Sequence, residues 1–557
     1  MYRMRRPLLY ILAQISRARG SAYQQQHGQQ IHSFSLPATC SSSLTVSSQK
    51  LVFCSRCYGC ISGFNSWNHH GKGLSTINEI RPGVHNPRQT GATMVTMNKV
   101  DSVPKKKRPV VGSWQTTSED ELYDVVIVGG GMAGQAMACA LGFESSLGDH
   151  RILLLEQGKK PIQLNELPSK YSNRVCALNH NSVKLLSDVG AWRHMTEMRV
   201  KPFRRMQVWD ACSDALITFN QSVDLSEDLA YVVENDITNA ALSRQLREVK
   251  ANVEVQYEKR LNSIQIPPQG LFEEESWAQL HLDDDSIIKT RLVIGADGAR
   301  SGVRRLAGLK EIGWDYDQWG VVATLQLAEP TENVVAWQRF LPSGPIALLP
   351  LTDDQSSLVW STSKEHSKEL VNMDEHDFTE AVNNAFWDDS HHNQSVDAAT
   401  QLFEGLLSAV KPDGSSIRQL PPSISGVDAS SRASFPLGLC HAPRYITDRV
   451  ALIGDAAHRV HPLAGQGINL GFGDVTSLTK TLSEAASMGK DLGSVSHLED
   501  YETERQRHVL PVMGTIDILK RLYSTSNPAA VLIRSLGLQV TNALGPIKDR
   551  IIASAAT

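Results

Sequence analysis

The chain has 557 residues, 41% of them hydrophobic and 20% charged, a usage that excludes a collagen-like, coiled-coil or wholly disordered protein and is long enough for three to four domain-sized units of about 150 residues. Its 55 Lys+Arg against 59 Asp+Glu leave a formal net charge of −4, so no global positive field draws it to nucleic acid. Eight scattered cysteines are too few for a disulfide framework.

The charge is unevenly placed. From Met1 to Asn78 there are eight Lys or Arg and no Asp or Glu. Arg3, Arg5, Arg6, Arg17 and Arg19 are spaced around Leu8, Leu9, Ile11, Leu12 and Ile15, and Ser-, Gln- and His-rich sequence follows. This acid-poor pattern predicts an amphipathic transit segment, mitochondrial because arginine crowds the extreme N-terminus, and residues 1–120 are read as that leader plus a linker. The apolar run Pro7–Ile15 falls short of the roughly 20 residues that span a bilayer, and no transmembrane helix is expected anywhere. Cys54, Cys57 and Cys60 offer three thiolates without a fourth ligand at the expected spacing, so no metal site is assigned. The basic run of Lys105, Lys106, Lys107 and Arg108 is read as a solvated linker rather than a nuclear-localisation signal.

Folded sequence is predicted from Tyr123. Asp124–Gly142 reads as an apolar strand, a glycine turn and a helix of small residues, with Gly129, Gly131 and Gly134 at G-x-G-x-x-G spacing. The first glycine permits the tight turn, the second lets a pyrophosphate approach the backbone, and the third lets helix and strand pack closely. A second strand, Arg151–Leu155, ends in Glu156, whose carboxylate suits a ribose with a free 2′-hydroxyl. Strand, turn, helix, strand and acid together form a complete dinucleotide unit, which FAD and NAD satisfy equally.

Two later segments decide between them. Arg291–Gly308 carries a strand followed by Gly295-Ala296-Asp297-Gly298; Arg449–Val475 carries a strand followed by Gly454-Asp455, then Pro462, Gly465, Gln466, Gly467 and Asn469. Together the three motifs resemble, in order, the signatures of the class A flavoprotein monooxygenases, the family built like p-hydroxybenzoate hydroxylase. The resemblance implies an α/β fold: a discontinuous Rossmann-like FAD-binding domain, an inserted antiparallel-sheet substrate domain and a helical C-terminus. It implies FAD as cofactor, with Gly129, Gly131 and Gly134 at its pyrophosphate, Glu156 at the adenosine ribose and Asp455 at a ribityl hydroxyl. Pro462, Gly465, Gln466, Gly467 and Asn469 would pass beside the isoalloxazine. Asp297 and Gly298 would support FAD and admit a reductant, while Arg174 and Asn235 are further flavin candidates. His458 and His461 lack a ligand set and are not read as a metal site; no catalytic triad or metal is expected.

Within that family the blocks YSNRVCALNHNSV, YVVENDITNAAL and VAWQRFLPSGPIALLPL resemble the coenzyme Q (ubiquinone) biosynthesis hydroxylases. This implies ring hydroxylation, at C5, of a polyprenylated phenol or hydroxybenzoate with O2 through a flavin C4a-hydroperoxide. It also implies an electron donor that is either a ferredoxin with its reductase or NAD(P)H, proteins of a ubiquinone biosynthesis complex as partners, and peripheral attachment to the matrix side of the mitochondrial inner membrane. The expected division is FAD-binding segments at 121–202, 286–311 and 446–490, substrate-domain segments at 203–285 and 312–445, and C-terminal helices at 491–557, punctuated by Pro511 and Pro528. Strand residues Arg339, Phe340 and Leu341, beside Trp337 and Pro350, are candidate substrate contacts. The apolar stripe of Leu532, Ile533, Leu536 and Leu538 is assigned to the core by default, with a membrane surface as the alternative. Another flavin enzyme of the same fold, such as an epoxidase or a prenyl reductase, stays open, as does a non-catalytic FAD-stabilised scaffold.

Overall fold

The computed structural model describes residues 121–220, 227–249, 252–267, 277–392, 394–410 and 419–544, together with 548 and 551. The expected transit segment, the three clustered cysteines and the basic run lie outside the described residues.

One sheet is built on a parallel core. Glu121–Val128 lies between Ile152–Glu156 and Ile287–Gly295; Val253–Tyr257 extends the first side and Val450–Leu452 the second, all parallel. Both faces are covered, and so the central strand reads as a continuous apolar run, with Val125, Val126 and Ile127 fully buried. Helices Met132–Phe143, Asn235–Glu248 and Gly467–Ser487 pack on one another over this sheet. The pairing corrects one expected boundary. Of residues 203–285, strands Arg205–Asp210 and Leu216–Asn220 join the second sheet, whereas Val253–Tyr257, Leu261–Gln265 and Ala278–Leu282 join the first. The physical reason is helix Asn235–Glu248, which buries Ile237, Ala240, Ala241 and Leu242 against the first helix and returns the chain to the parallel sheet by a crossover.

The second sheet has the spatial order 458–459, 433–441, 312–327, 355–363, 344–350, 335–341, 205–210, 216–220 among the described residues, with 424–427 also paired to 312–327. Its neighbours are antiparallel except 335–341 with 205–210. One face packs Trp209, Trp337, Leu358 and Trp360 against Phe378, Val382 and Phe386 of helix Glu375–Trp387. The opposite face looks toward the parallel sheet. Period-two alternation therefore decides which residues of these strands reach the space between the sheets.

The C-terminus is helical, with Val495–Tyr523 and Pro528–Ala543. Pro528 stands at the helix start, where its missing N–H costs nothing. Pro511, by contrast, lies inside the 29-residue helix; burial of Val509, Leu510, Met513 and Ile516 carries the helix through it. The last helix faces the protein with Val531, Arg534, Ser535 and Gln539. Leu532 and Leu538 are partly buried and pack against core clusters, as expected of a core stripe, whereas Ile533 is exposed: the face turned inward is partly polar, anchored by the buried Arg534–Asp210 ion pair, and leaves Ile533 outside.

Candidate active site

The glycine turn is built by close approach. Gly129 has φ +112, and a Cβ there would lie 2.5 Å from the Ala296 carbonyl oxygen; one on Gly134 would fall 1.8 Å from the Gly129 oxygen. Gly131 is different: it N-caps helix Met132–Phe143 without a side-chain cap, and the space its Cβ would occupy is open. The helix thus presents orphan N–H groups and a partial positive charge to the cavity. Glu156 accepts hydrogen bonds from the Gly130 and Gly158 amides, so its first task is bracing this turn.

At the second motif Asp297 accepts from Ser301 Oγ at 2.6 Å and from the Gly302 and Val303 amides at 2.6 and 3.1 Å. It caps the helix Gly302–Leu306, while Gly298, at φ +81, lines the cavity.

In the third, Gly454 turns at φ +59 and directs Asp455 into the cavity. Asp455 is open to that space yet enclosed by protein walls; burial pushes its carboxyl up, with His458 and Arg459 pulling it down. Pro462, Gly465 and Gly467 line the cavity. Gln466 N-caps helix Gly467–Ser487 without a side-chain cap, which brings a second helix N-terminus to the same place. Asn469 faces away: its Oδ1 accepts from the Asn179 amide and Ser182 Oγ, and its Nδ2 donates to the Ala177 and Gly465 carbonyls at 2.9 and 3.2 Å. It ties the loop to strand Val175–Leu178. Arg174 precedes that strand, and its carbonyl accepts the Asn235 amide at 2.9 Å; both side chains line the cavity.

The cavity between the sheets measures about 680 Å³. From the nucleotide side it is lined by the glycine turn and the loop after Asp455, and from the second sheet by Val322, Ala336, Gln338, Ala347, Leu349 and Val359 among others. The expected substrate contacts are not among the lining residues. Arg339 is 1% exposed and donates to the Ala385 and Asp388 carbonyls and to Asp389. Trp337 and Leu341 share its face and pack in the outer core. Phe340 is on the inner face but beyond the cavity, stacked on Tyr523 with ring centroids 3.9 Å apart. Pro350 is buried outside the lining, whereas Pro345, Ala347 and Leu349 of its strand belong to it. Alternation excludes Arg339 and Leu341: Ala336 and Gln338 occupy the facing register.

Residue reading also missed the support beneath Gly454-Asp455. Asp474, fully buried, accepts from the Gly454 amide at 2.8 Å, His458 Nε2 at 2.7 Å and Arg505 Nε at 2.8 Å. Burial alone would raise its carboxyl; His458 and Arg505 outweigh that and hold it below its ordinary value. A buried Asp on an otherwise apolar helix face was the available signal. His458 is thus a hydrogen-bond partner of Asp474, and His461 Nδ1 accepts the Leu463 amide; neither belongs to a metal-ligating group among the described residues.

The lining suits FAD. Two uncapped helix N-termini meet a polyanionic cofactor's requirements, the Cβ spaces at Gly131, Gly298 and Gly467 are open, and the buried Asn235 Oδ1 has no hydrogen-bond partner among the described residues. A family model described as an FAD binding domain matches residues 122–402 and 420–514. Among solved structures, p-nitrophenol 4-monooxygenase PnpA from Pseudomonas putida has a TM-score of 0.55 at 17% identity, covering 78% of this chain and 99% of that one. PqsL from Pseudomonas aeruginosa has 0.52 at 23%, covering 76% and 100%. The fold and site define an FAD-dependent monooxygenase, which uses FAD, O2, a reductant and an organic substrate.

The chain is 55% identical over 444 residues to ubiquinone biosynthesis monooxygenase COQ6, mitochondrial, of Homo sapiens, covering 80% of this chain and 94% of the relative. It is 34% identical over 469 residues to the protein of that name in Saccharomyces cerevisiae, covering 78% and 94%. It belongs to this family of ubiquinone biosynthesis monooxygenases. No described helix is long and apolar enough to cross a membrane.

Proposed function

We propose that the chain hydroxylates the aromatic ring of a polyprenylated phenol or hydroxybenzoate, at C5, in ubiquinone biosynthesis. The observation that carries the proposal is the cavity itself: a polar end made of glycine turns and helix N-termini, joined to an apolar sheet face. When bound, FAD supplies electron transfer and oxygen activation. The residues do the rest. Gly129, Gly131 and Gly134 admit the pyrophosphate to the first helix N-terminus, Glu156 offers its remaining lone pairs to the ribose, and Asp455 accepts from the ribityl chain. Arg174, Asn235, Gly298, Pro462, Gly465, Gln466 and Gly467 surround the ring system, with Asp297 and Asn469 fixing the backbone beside it. The apolar wall excludes water and aims the substrate ring.

The electron donor is a ferredoxin with its reductase, or NAD(P)H. The chain works on the matrix side of the mitochondrial inner membrane as a peripheral protein, beside other proteins of a ubiquinone biosynthesis complex; the exposed Ile533 with the half-buried Leu536 supplies apolar membrane contact. The test is purified protein with 4-hydroxy-3-prenylbenzoate and each reductant in turn, followed by oxygen uptake and product mass. A product heavier by one oxygen is expected. Bound FAD without any hydroxylated product under either donor would overturn the reading in favour of a scaffold.

A further inference from the structure

The cavity wall formed by the second sheet is a grid set by strand register. Gln338 stands opposite Ala347, Ala347 opposite Val359, and Val359 opposite Val322, and all four line the cavity. In the adjacent rows Ala336 and Leu349 lie on one side and Pro345 on the other. Within this apolar field Gln338 is an exception. It is 4% exposed, and its side-chain amide, open to the cavity, has no hydrogen-bond partner among the described residues. A buried primary amide carries two donors and two acceptor lone pairs, and leaving these unmet is costly unless something in the cavity meets them. Its neighbour on the same strand, Arg339, spends its guanidinium on the outer face, so strand alternation alone gives Gln338 the inward position.

We propose that Gln338 is the substrate-positioning residue of the cover sheet, hydrogen-bonding a ring oxygen of the phenolic substrate and so deciding which ring carbon is presented for hydroxylation; this role rests on the reading of the cavity as a flavin and substrate site. The amide does not titrate, so it orients the ring without acting as acid or base. The apolar residues around it accept the ring face and any prenyl substituent, while the amide reads the oxygen; Ser361, two residues from Val359 on strand 355–363, is another polar side chain that this sheet brings to the lining. A hydrogen bond to such an amide discriminates strongly, because a misoriented ring leaves it unpaired.

The test compares the FAD-loaded wild type with Gln338→Leu, which keeps the side chain's bulk, and Gln338→Asn, which keeps the amide but shortens its reach. Dissociation constants for 4-hydroxy-3-prenylbenzoate, KM and kcat, the ratio of hydrogen peroxide to hydroxylated product, and the ring position of the new oxygen are measured at equal FAD content. For Gln338→Leu, the loss of one neutral hydrogen bond with its partner left unpaired predicts about tenfold weaker binding, a matching rise in KM, and more peroxide or a mixture of ring positions. Gln338→Asn should recover part of the binding and of the product ratio. Wild-type hydroxylation with unchanged binding, coupling and product position in Gln338→Leu would overturn this role and leave the proposed reaction standing. A wild type that holds FAD but neither binds nor hydroxylates the phenol would overturn both.

Discussion

Asp474 joins three groups that the chain places far apart in function: a turn amide, a histidine and an arginine. Asp474→Asn keeps the volume but leaves Arg505, itself 5% exposed, without its counter-charge. Breaking a buried pair typically costs about 3–5 kcal/mol, and a lower urea midpoint with reduced FAD retention, measured by flavin absorbance after gel filtration, is expected. The pH dependence at neighbouring residues has a definite sign. Burial and then His458 push His441 down to about 3, and burial with Lys520 takes His461 to about 4. Both folded values lie below the ordinary 6.5, so as pH falls the unfolded chain takes up protons that the folded chain refuses. Stability is undiminished above about pH 6.5 and declines below it, by roughly 2 kcal/mol for each histidine at pH 5. Urea midpoints at pH 7.5 and 5 check this, and His441→Phe should narrow the difference between them. Asp474 acts lower: its lowered value lends stability that is complete above the unfolded carboxylate pKa of about 3.9 and lost as pH falls through the folded one.

Strand and helix faces separate binding from structure. Ala347 occupies the centre of the cavity wall, and Ala347→Phe should fill substrate space while leaving the glycine turns intact. FAD content is expected to stay at the wild-type level while hydroxylation is lost, read by absorbance and product mass on the same sample. The last helix depends on Arg534, whose guanidinium pairs with Asp210 at 2.6 and 2.9 Å, also donates to the Leu522 and Thr525 carbonyls and lies over the Tyr523 ring. Arg534→Ala would strand Asp210 and two carbonyl acceptors. Release of the helix, seen as rapid protease cleavage in the connection 524–527 mapped by mass spectrometry, is the expected result.

At the scale of the molecule, the cofactor end of the candidate site is assembled from segments near residues 131, 174, 235, 298 and 455, so a bound cofactor braces chain segments that lie far apart in sequence. Binding to the folded state alone stabilises by about 2.7 kcal/mol when ligand is a hundredfold above its dissociation constant. Thermal melts of the protein with and without added FAD should therefore differ by several degrees, and added AMP should give a smaller shift because it engages only the glycine turn and Glu156. An unshifted melt would contradict a cofactor shared among these segments.

Residue types and spacing marked the glycine turn, and the roles of Asp297 and the loop after Asp455 followed from the family resemblance of the three motifs; backbone close approach, tight turns and helix N-termini accept few residue types, so such motifs are written locally. The same resemblance implied the two-sheet α/β class, with which the short apolar strands and the small-residue helix agree. Tertiary structure decided everything that depends on register and on which face is covered. Arg339 and Gln338 are equally plausible polar strand residues until pairing turns one outward to Asp389 and the other into the cavity. Glu156 proves to spend a hydrogen bond on the Gly130 amide, and Asn469 on groups of Asn179, Ser182 and Ala177, all distant in sequence, while Ile533 is left outside because the buried partner of Arg534 is an aspartate 324 residues away. A local pattern specifies what a residue can do; only long-range packing specifies which neighbour it does it with.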